Sequence, residues 1–249
     1  MKWLILRGLV REQRHWGEFK DIFEGKLKEL NPQSKVYTID MPGFGTEVSR
    51  VSPKTIAGIV EDVRSRWQEL KETPHEEWGI LAVSLGGMVA AQWSSHYQDD
   101  FKKVVLINSS MSGLSPIHHR MMPSNYPRIV KLLLSKNLVE REKKILGMTT
   151  NLEMQNLIKQ AEIQAEYGKD VNRVNAIYQI LAAVRFKAPK KIPIPVLVLV
   201  GEGDQLVSPK CSMAIARQYG AKIMSHPTAN HDLANDDPKW IAEQVTNWK

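Results

Sequence analysis

The stretch Trp78-Gly79-Ile80-Leu81-Ala82-Val83-Ser84-Leu85-Gly86-Gly87-Met88-Val89-Ala90-Ala91 decides how this chain folds. Its first six residues are an apolar run short enough to be a buried strand, and from Met88 good helix formers take over. Ser84 therefore falls on a strand-to-helix turn, with small residues two positions to either side, Ala82 and Gly86. A turn that sharp has no room for larger side chains at those positions. It lifts one hydroxyl clear of the sheet, in front of a helix N-terminus. The plainer alternative is a strand, a serine N-cap and a glycine-containing helix start.

The 249 residues fit one large α/β domain, or a core domain carrying an insertion. Hydrophobic residues at 43% and charged ones at 24% are ordinary for a globular chain and argue against disorder. The longest apolar runs, such as 194–200 with Pro195 inside it, are too short to span a bilayer. The opening Met1-Lys2-Trp3-Leu4-Ile5-Leu6-Arg7 has too brief an apolar core for a signal peptide and no cleavage site. Cys211 is the only cysteine, which excludes an internal disulfide and thiolate metal clusters and makes the cytoplasm the expected location. The net charge of +7 is localised: residues 111–191 hold 14 Lys/Arg against 6 Asp/Glu, and the rest of the chain is nearly balanced.

Working outward from the turn, strands are expected at 3–6, 35–40, 78–83, 103–108, 196–200 and 222–225. Helices are expected over about 16–30, from Ser52-Pro53 to Trp67, after Ser84, and over 209–219 and 238–248. Strand-helix alternation with right-handed crossovers makes a six-stranded, mostly parallel sheet with helices on both faces. Between the fourth and fifth strands the alternation breaks. Residues 111–191 show helical patterns near 126–136, 138–148, 151–167 and 170–186 and no strand, so this segment is expected to lie over the sheet as a lid. The core is then 1–110 together with 192–249, and Lys187-Ala188-Pro189-Lys190-Lys191 is the candidate hinge back into it.

A serine hydroxyl near neutral pH needs a base, and the base needs a third group to orient it. Ligands of open α/β sheets bind beyond the carboxyl ends of the strands, so the partners are sought in the last two such loops. After strand 196–200 comes Gly201-Glu202-Gly203-Asp204; after 222–225 comes His226-Pro227-Thr228-Ala229-Asn230-His231-Asp232. Asp204 and His231 each stand in a turn, in the chain order serine, acid, histidine.

With these pieces assembled, the sequence resembles the α/β-hydrolase superfamily, specifically its lid-bearing single-domain esterases and related hydrolases. The resemblance covers nearly the whole chain and rests on five pieces in the proper order: Arg7-Gly8-Leu9, Asp40-Met41-Pro42-Gly43-Phe44-Gly45, the Ser84 turn, Gly201-Glu202-Gly203-Asp204 and Asn230-His231. It implies Ser84 as nucleophile, His231 as general base and acid, and Asp204 as the carboxylate that orients the imidazole. The backbone N–H groups of Leu9 and Leu85 would form the oxyanion hole. Arg7 departs from the pattern, because many relatives carry His before that Gly. Glu202 is an alternative acid two residues short of the expected turn. Asp232 reads as a helix N-cap and Asp40 as a turn cap. Asn108 and Ser109 occupy the place after the fourth strand where some relatives carry the acid, and cannot serve as one.

Trp16 is a candidate wall of an acyl pocket or a plain core residue, and the Met121-Met122 pair is a candidate adaptable pocket lining. No carboxylate or cysteine joins His118-His119 or the His226/His231 pair at ligand spacing, so neither a metal nor any other cofactor is expected. The basic residues Arg120, Arg128, Lys131, Lys136, Arg141, Lys143 and Lys144 suit an anionic leaving group or acyl chain, or an acidic carrier protein. A solvated helical face is the commoner meaning of such a run. Nucleic acid is not an expected partner, since no recognition motif accompanies the charge. The expected activity is hydrolysis of a small-molecule carboxylic ester through an acyl-enzyme. A thioesterase, a carbon–carbon bond hydrolase and a non-catalytic binding protein on the same scaffold are the alternatives.

Overall fold

The computed structural model describes residues 1–73 and 75–248. Six strands form one sheet in the order β2-β1-β3-β4-β5-β6, where β1 is Lys2–Leu6, β2 Val36–Thr38, β3 Trp78–Val83, β4 Lys103–Ile107, β5 Val196–Gly201 and β6 Lys222–His226. Every pairing is parallel, so the expected sheet is present without an antiparallel member. Period-two alternation splits each central strand between two cores. Leu4, Leu6, Ile80, Ala82, Val104, Leu106 and Val198 face one side; Trp3, Ile5, Leu81, Val83, Val105, Ile107 and Leu199 face the other.

Helix α1 (Phe19–Leu30) buries Phe19, Phe23 and Leu27 on the second side. Helices α2 (Ile56–Glu69) and α3 (Leu85–His96) cover the first, where Trp67 and Trp93 meet edge to face at 5.5 Å. Both faces being covered explains why the central strands are apolar throughout.

The helix expected over 16–30 is divided. A 3₁₀ turn at Gln13–Trp16 precedes α1, and Gly17 with φ of 52° breaks the path between them. The strand expected at 35–40 ends at Thr38, because Asp40 turns inward. There its carboxylate accepts from the N–H groups of Gln13 (2.7 Å) and Thr46 (3.0 Å), the turn-capping role its place suggested.

Between β4 and β5 lie α4 (Ile117–Arg120), α5 (Tyr126–Leu134), α6 (Leu138–Thr149), α7 (Met154–Tyr167) and α8 (Arg173–Arg185). Helix α8 begins at 173 rather than 170 because Asn172 caps it, its side chain accepting from the Val174 N–H. The two ends of this segment meet where Ser112 and Lys187 form a bridge and the Ala188 N–H donates to the Ser112 carbonyl at 3.0 Å. After β5 come α9 (Pro209–Tyr219), a short α10 (Leu233–Asp236) and α11 (Pro238–Thr246), the last matching the terminal helix expected near 238–248. Among the described residues no helix is long and apolar enough to cross a membrane.

Candidate active site

Strand β3 delivers Ser84 to the sheet's carboxyl edge with φ of 55° and ψ of −116°, a backbone conformation that L-residues rarely adopt. The turn is held by the Ser84 N–H donating to the Ile107 carbonyl (2.9 Å) and by the Ser84 carbonyl accepting from Ser109 Oγ (2.8 Å). Although Ser84 occupies the N-cap position of α3, its side chain makes no capping bond, so the hydroxyl is spared for other work. Gly86 explains the small-residue requirement. A Cβ there would lie 2.5 Å from the Arg7 carbonyl oxygen and 2.7 Å from that of Leu6. The loop after β1 therefore packs directly on the start of α3, and a Cβ on Gly8 would come within 3.2 Å of Ser84 Cβ.

Asp204 is buried, and both of its oxygens are engaged. Oδ1 accepts from the N–H groups of Leu206 (2.8 Å) and Val207 (2.9 Å), which leaves Oδ2 to meet His231 Nδ1 at 2.7 Å. The neighbouring Glu202 is exposed. The His231 loop is pinned in turn. Asn230 Oδ1 accepts from the N–H groups of His231 and Gln205, and Asn108 Nδ2 donates to the carbonyls of Asn230 (3.1 Å) and His231 (2.9 Å). Burial disfavours a charged His231, but the Asp204 carboxylate outweighs it and holds the imidazole above its usual pKa.

Ser84 and His231 line one cavity of about 310 Å³ between the sheet edge and the helices of 117–185. No hydrogen bond joins the Ser84 hydroxyl to His231 among the described residues. Such contacts are often long before substrate arrives. Leu9 and Leu85 line the same cavity, and among the described residues neither N–H has a protein acceptor.

The remaining candidates divide. Met121 lines the cavity; Met122 is not among its walls and instead donates its N–H to the Leu206 carbonyl at 3.0 Å. Trp16 is a correction. It lies in the core on the second face of the sheet, 5.1 Å from the Phe19 ring, with the Arg7 guanidinium 4.7 Å above it. Its apolar surface outweighed its place in the chain. Asp232 is a second correction. It stands at the head of α10, but its side chain caps nothing; it grips Arg7 through two bonds of 3.0 and 2.6 Å, both residues buried. Cys211 is buried and burial raises its thiol pKa, which leaves it inert packing. Among the described residues no group of three His, Cys, Asp or Glu could hold a metal.

Nothing in the sequence singles out Gln179, and Asn108 draws notice there only as a residue unable to be the acid; each matters through backbone groups it meets far along the chain.

A family model described as serine aminopeptidase, S33, matches residues 15–238. Over 187 residues the chain is 20% identical to a poly(3-hydroxyalkanoate) depolymerase from Ectopseudomonas oleovorans, covering 73% of this chain and 62% of that one. Over 95 residues it is 27% identical to a pimeloyl-[acyl-carrier protein] methyl ester esterase from Vibrio vulnificus (strain YJ016), covering 38% of this chain and 34% of that one. The matched part is thus less than two thirds of either relative. Among solved structures, a thermophilic esterase from Thermogutta terrifontis superposes with a TM-score of 0.75 at 17% identity, covering 100% of this chain and 89% of that one. With a doubly covered parallel sheet, a strained serine turn and a family match over most of its length, the chain belongs to the S33 serine aminopeptidase family of α/β hydrolases.

Proposed function

We propose that this hydrolase cleaves a carboxylic ester through Ser84, His231 and Asp204. The observation that carries the reading is the 2.7 Å contact between His231 and Asp204 on the wall of the cavity that Ser84 also lines. Ser84 Oγ attacks the ester carbonyl carbon as its proton passes to His231 Nε2. Asp204 keeps the Nδ1–H oriented and stabilises the imidazolium that forms. The carbonyl electron pair becomes an oxyanion, received by the N–H groups of Leu9 and Leu85. Each such donor contributes about 3 kcal/mol to the transition state. Collapse of the intermediate expels the alkoxide, which takes the proton back from His231 Nε2. Water, deprotonated by the same nitrogen, then attacks the acyl-serine and frees the acid.

The two relatives, by name a poly(3-hydroxyalkanoate) depolymerase and a methyl ester esterase, support an ester over a peptide or carbon–carbon substrate. In this reading the helices of 111–191 act as a lid that roofs the cavity and excludes water. The test is labelling with a fluorophosphonate probe, combined with turnover of short and medium p-nitrophenyl esters and acyl-CoA thioesters. Wild-type protein should be labelled at Ser84 and hydrolyse esters, and Ser84→Ala should do neither. A wild type that is never labelled and never turns over would sink the assignment.

A further inference from the structure

The cavity above Ser84 is walled chiefly by aliphatic side chains, among them Ile117, Ile129, Ile145 and Ile180, yet arginines interrupt that lining. Three of these have their charge answered from within the protein, Arg141 by Glu142 at 3.7 Å and the other two more closely. Arg7 meets Asp232 at 2.6 Å and Arg11 meets Glu142 at 2.6 Å. Arg120 does not. Among the described residues no carboxylate lies within 4.0 Å of its guanidinium. Its exposure is only 9%, its Nη2 donates to the Ala183 carbonyl at 2.7 Å, and its buried Nε has no partner at all.

A buried cation with unused donors is expensive for a fold to keep. Its position is nonetheless well defined. Helix α4 and the residues just after it are tied to the loop after Asp204, through the Ser208 N–H to the His119 carbonyl (2.9 Å) and the Met122 N–H to the Leu206 carbonyl (3.0 Å). The helix that carries Arg120 is thus fastened to the same loop that carries the catalytic acid. A guanidinium presents a planar fork that matches a carboxylate, and in an apolar cavity such a pairing is strong because water does not compete.

We infer that Arg120 is the carboxylate-binding residue of the substrate cavity, and that the substrate is an ester whose aliphatic chain also bears a free carboxylate. This deepens the ester-hydrolase reading and rests on it for the position of the scissile bond. Aliphatic walls hold the chain, Arg120 holds the far anion, and the ester carbonyl lies at Ser84.

The experiment compares monoethyl adipate with ethyl hexanoate by pH-stat, and adipate with hexanediol and inorganic phosphate by thermal shift, in wild type and Arg120→Gln. Glutamine keeps a donor for the Ala183 carbonyl and removes the charge. In wild type the anionic ester should be preferred. In Arg120→Gln the ratio of kcat/KM, anionic over neutral, should fall about thirtyfold, the loss expected for hydrogen bonds to a charged group. Adipate should raise the melting temperature of wild type and not of the variant.

An equal loss on both esters would make Arg120 a purely structural residue and overturn the inference. So would a wild type with no anionic preference, or greater stabilisation by phosphate than by adipate. If neither ester is cleaved but adipate binding still depends on Arg120, the hydrolase reading fails while the anion site stands. If Arg120→Gln does not fold, Arg120→Lys is read by the same ratio; its charge without the fork should give a smaller drop, and an unchanged ratio overturns the inference.

Discussion

The side chain of Gln179, fully buried in α8, accepts a hydrogen bond from the Val10 N–H at 2.9 Å. Val10 is a β-branched residue held at φ of 58°, and it directly follows Leu9, whose N–H is the proposed oxyanion donor. Such a residue costs about 1–3 kcal/mol and persists only where its surroundings hold it. Gln179 does the holding, from the helical segment that covers the site. Gln179→Leu strands the Val10 N–H and should lower stability by about 1–3 kcal/mol. It should also lower kcat about tenfold with KM little changed, because the oxyanion contact acts only in the transition state. Gln179→Glu, which keeps the acceptor, should recover part of kcat. Steady-state kinetics on ethyl hexanoate with urea unfolding provides the check; a raised KM at constant kcat would remove Gln179 from that role.

The pH dependence follows from His231. As the proposed base His231 must be neutral, and although burial disfavours its charged form, Asp204, helped by Asp232, leaves its pKa above the ordinary value of 6.5. Activity should therefore fall as pH drops through a value higher than 6.5. In Asp204→Asn that limb should move to lower pH, with kcat down by about a thousandfold or more. A kcat/KM profile from pH 5 to 9 shows both, and a flat profile contradicts the assignment.

Arg7 and Asp232 form a buried pair that ties the loop after β1 to the His231 loop. Burial would raise the Asp232 pKa, but Arg7 outweighs it and the net shift is below the ordinary 3.8. The stability from this shift is present above pH 3.8 and is lost as pH falls through the lower folded value. Asp232→Asn leaves Arg7 without its counter-charge and should cost about 3–5 kcal/mol at neutral pH. The difference from wild type in urea unfolding should close in strong acid. A constant difference at all pH values would mean the carboxylate charge is not what matters.

Gly86→Ala tests the turn itself. Both atoms that the new methyl would strike are backbone carbonyl oxygens, which cannot rotate away. The substitution should cost about 1–3 kcal/mol or more and depress activity. Gly147→Ala in α6 is the contrast, because its nearest neighbour would be Leu157 Cδ1 at 3.8 Å. It should stabilise the protein by about 0.5–1 kcal/mol. Thermal melts of the two variants decide, and similar values would refute the close-packing account.

Much of the fold could be read in advance because it is written in short-range patterns. Short apolar runs name β1, β3, β4 and β5 as strands. The small residues around Ser84 name the turn, and Asp204 and His231 each follow a strand by a few residues. Errors gathered where a residue had two uses open to it. Trp16 could line a pocket or fill a core, and Asp232 could cap a helix or pair with a cation.

By itself, then, the sequence determined the parallel sheet, the strained serine turn and the order of the three polar residues at the sheet's carboxyl edge. Only the tertiary structure decided that Arg7 meets Asp232 across 225 positions, that Gln179 reaches Val10 across 169, and that Arg120 faces the cavity without a carboxylate. The reason is physical. Backbone geometry repeats every two residues in a strand and every 3.6 in a helix, so it leaves a local imprint on the chain. Which side chain meets which across a packed interface depends on how whole helices settle against the sheet, and no local pattern records that.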